Sequence, residues 1–127
     1  MKAKHIEECS HIFEINEIPS TCVHPEYPKN LIAEEIRLIG LGDYHTSLSW
    51  IWLGAINALA KHKLGMRKEA KETLEKMAAL IVEFNGVYEI YEKSAEPVKR
   101  FFYKAEFPLA WSAGMFVYAV KEITRLN

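Results

Sequence analysis

Apolar positions recur at helical spacing in four stretches of the chain, and the stretches differ in how far round the helix the apolar surface extends. In residues 31–39, Ile32, Ile36 and Ile39 share one face, and Gly40 and Gly42 then stop a short helix. A second helix is predicted to begin near Thr46 or Ser47, either of which suits an N-cap, and to run to about Leu64, where Gly65 supplies a left-handed end. Its Ile51, Trp52, Leu53, Ala55, Ile56, Ala58, Leu59 and Ala60 cover every side, the signature of a helix buried all round. Residues 67–84 differ: Leu74, Met77, Ala78, Ile81 and Phe84 make one stripe, Lys68, Glu72, Glu75 and Lys76 fall mostly elsewhere, and this helix faces water. Asn85-Gly86 ends it. The β-favouring run from Val87 to Tyr91 is expected to pair with Phe101-Phe102-Tyr103 across the polar residues 93–99. A last helix, starting near Pro108 in a first-turn position, is again apolar on nearly every side through Trp111, Ala113, Met115, Phe116, Val117, Ala119 and Val120.

Residues 1–30 lack such a pattern, and Pro19, Pro25 and Pro28 interrupt any element there, so they read as an irregular capping arm. Residues 31–127 then form a helical-hairpin domain, the whole being a single domain. The order buried, exposed, buried implies an all-α fold of two layers of antiparallel helical hairpins, with room for one small β-hairpin. Outer helices are too few to cover the inner ones. Leaving about four to six large apolar side chains uncovered forgoes about 6 to 18 kcal/mol, comparable to a domain's whole stability. The chain is therefore expected to form a homo-oligomer or to join a separate chain that completes the helical array.

At 127 residues, 50% of them hydrophobic, the chain can bury a core of its own, which excludes disorder. Sixteen Lys and Arg against seventeen Asp and Glu leave a net charge of −1, so neither nucleic acid nor a membrane surface is an expected partner. The least charged stretches, residues 48–60 and 107–120, fall short of the roughly 18 to 20 residues of a membrane span. The charged opening from Met1 to Glu8 does not resemble a secretory signal, and a cytoplasmic location is expected. Cys9-Ser10-His11 and Cys22-Val23-His24 pair thiols with imidazoles at a spacing tighter than that of zinc fingers, so reduced thiols in packing are expected, with His5 adding only composition. No metal and no cofactor is expected. Lys61, His62, Lys63, Arg67, Lys68 and Lys71 crowd one hairpin tip, but Glu69 and Glu72 interleave, which reads as a solvated surface. No phosphate loop, dinucleotide fingerprint or nucleophile elbow is present.

Three segments carry a resemblance: Gly42-Asp43-Tyr44-His45-Thr46-Ser47-Leu48-Ser49-Trp50-Ile51-Trp52-Leu53, the Gly65-Met66-Arg67-Lys68-Glu69-Ala70 connection, and Gly86-Val87-Tyr88-Glu89-Ile90-Tyr91-Glu92 followed by Phe107-Pro108-Leu109-Ala110-Trp111-Ser112-Ala113-Gly114. In that order they resemble the six-hairpin glycosidases, the α/α-toroid superfamily of glucoamylases, trehalases, processing glucosidases and glycogen-debranching glucosidase domains. The resemblance covers residues 40–123 and corresponds to the C-terminal part of a toroid. It implies an enzyme fragment or subunit acting on α-linked glucosides, or descended from one, with an oligosaccharide as ligand. The Glu of the Tyr-Glu-x-Tyr stretch is the catalytic base in the processing and debranching branches, and Glu89 takes that place here. Glucoamylases take their base from later in the equivalent loop, nearer Glu96, and Glu106 is a third alternative. The resemblance further places Tyr44, His45, Trp50, Tyr91 and Trp111 around a sugar subsite, with Trp52 in the core.

Glycoside cleavage needs two carboxyl groups, one protonated to assist the leaving oxygen and one ionised to activate water or attack carbon. The family's acid lies in a hairpin well before the Tyr-His loop, a region that this sequence does not carry. Hydrolysis is therefore expected only where another chain supplies the acid, whereas the aromatic side chains can bind sugar without it. The contrasting expectation is a non-catalytic helical oligomerisation or interaction domain.

Overall fold

Four helices carry the chain in a computed structural model that describes residues 14–15, 18–19, 21–23 and 26–125. They are α1 (Glu34–Leu38), α2 (Ile51–Lys63), α3 (Arg67–Glu83) and α4 (Ala110–Thr124). The fold is mainly helical, supplemented by two minimal antiparallel strand pairs, β1 (Glu14–Ile15) with β2 (Ile18–Pro19) and β3 (Lys99–Arg100) with β4 (Tyr103–Lys104). α2 is central and packs on both α3 and α4. Its buried Gly54, Ala55 and Ala58 are small enough to let both neighbours approach, and Leu74, Met77 and Leu80 of α3 and Ala119 of α4 close the core over Ile51. No helix among the described residues is long and apolar enough to cross a membrane.

The helix stops follow from local chemistry. After α2, Gly65 adopts φ +83°, its N–H bonds the His62 carbonyl at 3.0 Å and the Met66 N–H bonds the Lys61 carbonyl at 3.0 Å. This double bond pattern satisfies the last-turn carbonyls and sends α3 back along α2. The same pattern ends α3, with Asn85 at φ 54° in the left-handed position, Asn85 N–H on Val82 and Gly86 N–H on Ile81.

The helix starts differ from expectation. Thr46 and Ser47 do not cap α2, because the Asp43 carbonyl collects the N–H groups of Thr46, Ser47 and Leu48 at 3.0 to 3.3 Å and turns the chain there. Ser49 is then drawn into an antiparallel bridge with Tyr91, and the helix begins only after the extended Trp50. Pro108 likewise precedes α4 rather than entering its first turn, since the Leu109 N–H is held by the Val87 carbonyl at 2.9 Å in extended conformation. Residues 31–39 yield only the five residues of α1, after a 3-10 turn at Lys29–Leu31.

Two further expectations are corrected. Val87 to Tyr91 does not pair with Phe101 to Tyr103: Phe101 and Phe102 form the exposed turn between β3 and β4. The 87–91 segment instead bonds Ser49 on one side and Pro97, Val98 and Glu106 on the other. α4 is not buried all round, because only Ser112 and Ala119 are enclosed while Trp111, Val117 and Tyr118 face outward. Within the arm, β2 lies against α2 and α3, and Thr21 bridges Ser49. Cys22 is half-buried and burial pushes its thiol up, whereas Cys9, His11, His24 and His5 of the weighed metal set lie outside the described residues.

Candidate functional site

The residues 87–91 run bends at Glu89 and is anchored by backbone bonds to Ser49, Glu106 and Val98; Ile90 and Tyr91 are fully buried, and the carboxylate lies between them and Tyr88 along the chain. Glu89 is only 9% exposed and is the one buried carboxylate among the described residues. Three donors meet it. The Tyr44 hydroxyl donates to Oε1, the Tyr103 hydroxyl donates to Oε2, and the Glu106 N–H reaches Oε2 at 3.3 Å. An ionised carboxylate has about four acceptor positions, so roughly one is left for water or a ligand. Burial first, then the bond and charge of Glu89, push the Tyr44 phenol up to about 12, with Glu106 adding to the same effect. Burial and Glu89 also raise Tyr103. Both phenols are thus donors throughout the ordinary pH range.

Tyr44 is fixed from behind. The Trp50 Nε1–H donates to its carbonyl at 3.3 Å, and its ring meets Trp50 edge-on at 5.1 Å, His45 at 4.5 Å and Tyr103 at 6.1 Å. A guanidinium clamp sets the turn that carries it: Arg100 donates to Asp43 at 2.5 and 2.8 Å, to Glu92 at 2.9 Å and to the Gly40 carbonyl. The Asp43 bonds raise Arg100 above its ordinary value despite the opposing effect of burial. One side chain therefore ties the Tyr44 loop to the hairpin that bears Tyr103.

In front of the two phenols lies a cavity of about 410 Å³, bounded by Tyr27, Ile32, Ile36 and Leu41 and sharing Tyr44, His45 and Tyr103. Because both hydroxyls are engaged by Glu89, the cavity presents apolar surface and the His45 imidazole. It suits the C–H face of a ring whose hydroxyls stay outside.

The structure sorts the residues singled out from the sequence. Glu89, Tyr44 and His45 come together. Trp50 belongs to the core rather than a sugar platform, being 7% exposed with the His45 ring stacked 6° from parallel over it. Tyr91 is corrected outright: it is fully enclosed, and its hydroxyl accepts the Tyr88 N–H at 3.0 Å. Trp111 is exposed and touches the group only through Trp52, which stands edge-on between Trp50 and Trp111 at 6.3 and 6.4 Å. Glu96 is exposed, and its carbonyl accepts the Glu92 N–H; Glu106 is exposed and meets Glu89 through its backbone. Sequence reasoning missed Tyr103, Arg100 and Asp43. Tyr103 was visible only as the end of an aromatic run, and nothing in the spacing of Asp43, Glu92 and Arg100 announces their convergence.

Against known families, curated proteins and solved structures, the chain shows no match.

Proposed function

We propose that the chain is a six-hairpin-glycosidase-like fragment or subunit that binds an α-linked glucoside beside the Tyr44–Glu89–Tyr103 cluster. Glu89 serves as general base, and the general acid comes from another polypeptide. The supporting observation is that the one enclosed carboxylate among the described residues is Glu89, the residue that the family resemblance singles out, oriented by two phenols and a backbone N–H. A base must be held within reach of the water it activates, and three fixed donors on one carboxylate provide such orientation. Tyr44, His45 and Tyr103 supply the ring-facing wall. Asp43 and Glu92 are committed to Arg100 and are not free to act as the acid, which in this reading a second chain supplies. A partial α/α toroid and a cytoplasmic location belong to the same proposal.

Titration with maltotriose and with trehalose, followed by NMR of the tyrosine rings and of His45, tests the binding step. Saturable shifts of Tyr44 and Tyr103 that change in Glu89→Gln are expected. Their absence with both sugars defeats the carbohydrate reading. Glucose release on mixing with a chain that supplies the acid, abolished by Glu89→Gln, tests the catalytic step.

A second reading rests on a different observation. Phe101 is 92% exposed, Trp111 is 69% exposed, and Phe102, Val117 and Tyr118 are also largely uncovered. So many large apolar side chains on a small surface favour a non-catalytic interaction or oligomerisation domain. Sedimentation equilibrium at micromolar concentration should then show association that Trp111→Asp with Val117→Asp abolishes; a monomer refutes it.

A further inference from the structure

At the tip of the α2–α3 hairpin, the last turn of α2, the first turns of α3 and the end of α4 wall a groove of about 850 Å³. Four cations line it, Lys63, Arg67, Lys71 and Arg125, against one carboxylate, Glu122. Lys71 reaches Glu75 at 3.6 Å in an exposed pair, whereas Lys63, Arg67 and Arg125 have no ion-pair partner among the described residues. The ends of α2 and α4 bring roughly half a negative charge each, and the start of α3 returns roughly half a positive one. The groove thus keeps a clear cationic excess in a chain whose net charge is −1. Interleaved Glu69 and Glu72 do not cancel it, since neither lines the groove and Glu72 pairs with Lys68 at 3.7 Å.

Two features distinguish the groove from a merely solvated tip. Its wall includes Leu59, Ile123 and the largely exposed ring of Tyr118, an apolar surface beside the cations. His62, which also lines it, has its Nδ1 sealed from solvent without a partner.

We propose that this groove binds a phosphorylated small molecule bearing a flat apolar group. Lys63, Arg67 and Arg125 hold the phosphates, and Tyr118, Leu59 and Ile123 receive the flat group. Arginine forks match phosphate oxygens, several cations favour a multiply charged anion, and the volume suits a ligand of nucleotide size. None of these residues takes part in the Glu89 cluster, so this assignment is independent of the glucoside reading.

The test titrates the full chain with pyrophosphate and, separately, with ATP, following the His62 and Tyr118 ring signals by NMR. Both should saturate, with ATP about tenfold tighter because only it covers the apolar wall. Arg67→Gln and Lys63→Gln should each weaken ATP by about tenfold, while Lys68→Gln, on a side chain outside the groove, changes it less than about twofold. Failure of both ligands to saturate overturns the proposal. So does equal weakening by Lys68→Gln, or ATP binding no tighter than pyrophosphate.

Discussion

Replacing Tyr103 by Phe deletes one oxygen, and that oxygen donates to a carboxylate that water hardly reaches. Glu89 is 9% exposed and receives two phenolic hydroxyls and one N–H at 3.3 Å. A hydrogen bond to a charged group contributes about 1.5 to 3 kcal/mol, and with Glu89 only 9% exposed solvent replaces it incompletely, so Tyr103→Phe should cost about 1 to 3 kcal/mol, as should Tyr44→Phe. The pair should cost more than the sum, by about 1 kcal/mol or more, because it leaves an enclosed carboxylate with the Glu106 N–H alone. Removing the charge as well should relieve most of the damage: Tyr44→Phe, Tyr103→Phe and Glu89→Leu together replace a polar trio with apolar groups of similar shape. Urea unfolding followed by tryptophan fluorescence reports each variant, Trp50 standing directly behind Tyr44. Single losses below about 0.5 kcal/mol, the size of a surface substitution, with no recovery in the triple variant, would refute the idea that Glu89 is enclosed and clasped.

Alkaline titration probes the same cluster from the phenols. With Tyr44 raised to about 12, its contribution to stability is complete below the ordinary phenol value near 10 and is lost as pH climbs through about 12; tyrosinate absorbance should show Tyr44 and Tyr103 ionising late, and earlier in Glu89→Gln. Uniform ionisation of all six tyrosines near pH 10 contradicts this. Arg100→Met should cost about 1 to 3 kcal/mol by chemical denaturation, since it strands Asp43 and Glu92 together, whereas the exposed Lys99→Met should cost less than about 0.5. Gly114→Ala should raise stability by about 0.5 to 1 kcal/mol, since nothing lies within 4 Å of the added methyl and helix propensity improves. Gly86→Ala should lower it by about 1 to 3 kcal/mol, because φ is +151° and the methyl would overlap the Phe107 ring. Thermal melts with equal effects at both glycines would contradict the placement of Phe107.

What the sequence disclosed follows from how local each cause is. The span of α3 was legible because its stripe and the Asn85-Gly86 stop both lie within the helix and its neighbours. The start of α2 was not, since Thr46 and Ser47 look like caps until the Asp43 carbonyl and the distant Tyr91 claim that stretch. Glu89 came forward through family resemblance, and Tyr44 through the same route, but the side chain that completes the clasp, Tyr103, sits on a hairpin whose register no local pattern specified. Tyr91 and Trp50 misled for the opposite reason: aromatic residues beside a motif suit a ligand wall and a core equally well, and only burial separates the two.

The bridges Thr21 to Ser49, Ser49 to Tyr91 and Tyr91 to Pro97 form a rung of backbone across four separate stretches of chain. Such a rung closes long loops and yields little until all its members arrive, so it belongs late in folding, after the quick local collapse of α2 onto α3. The Glu89 clasp hangs from that rung. Its amides should therefore surrender deuterium protection before those of the two helices do, making the end that holds Glu89 the first to be lost when the fold loosens.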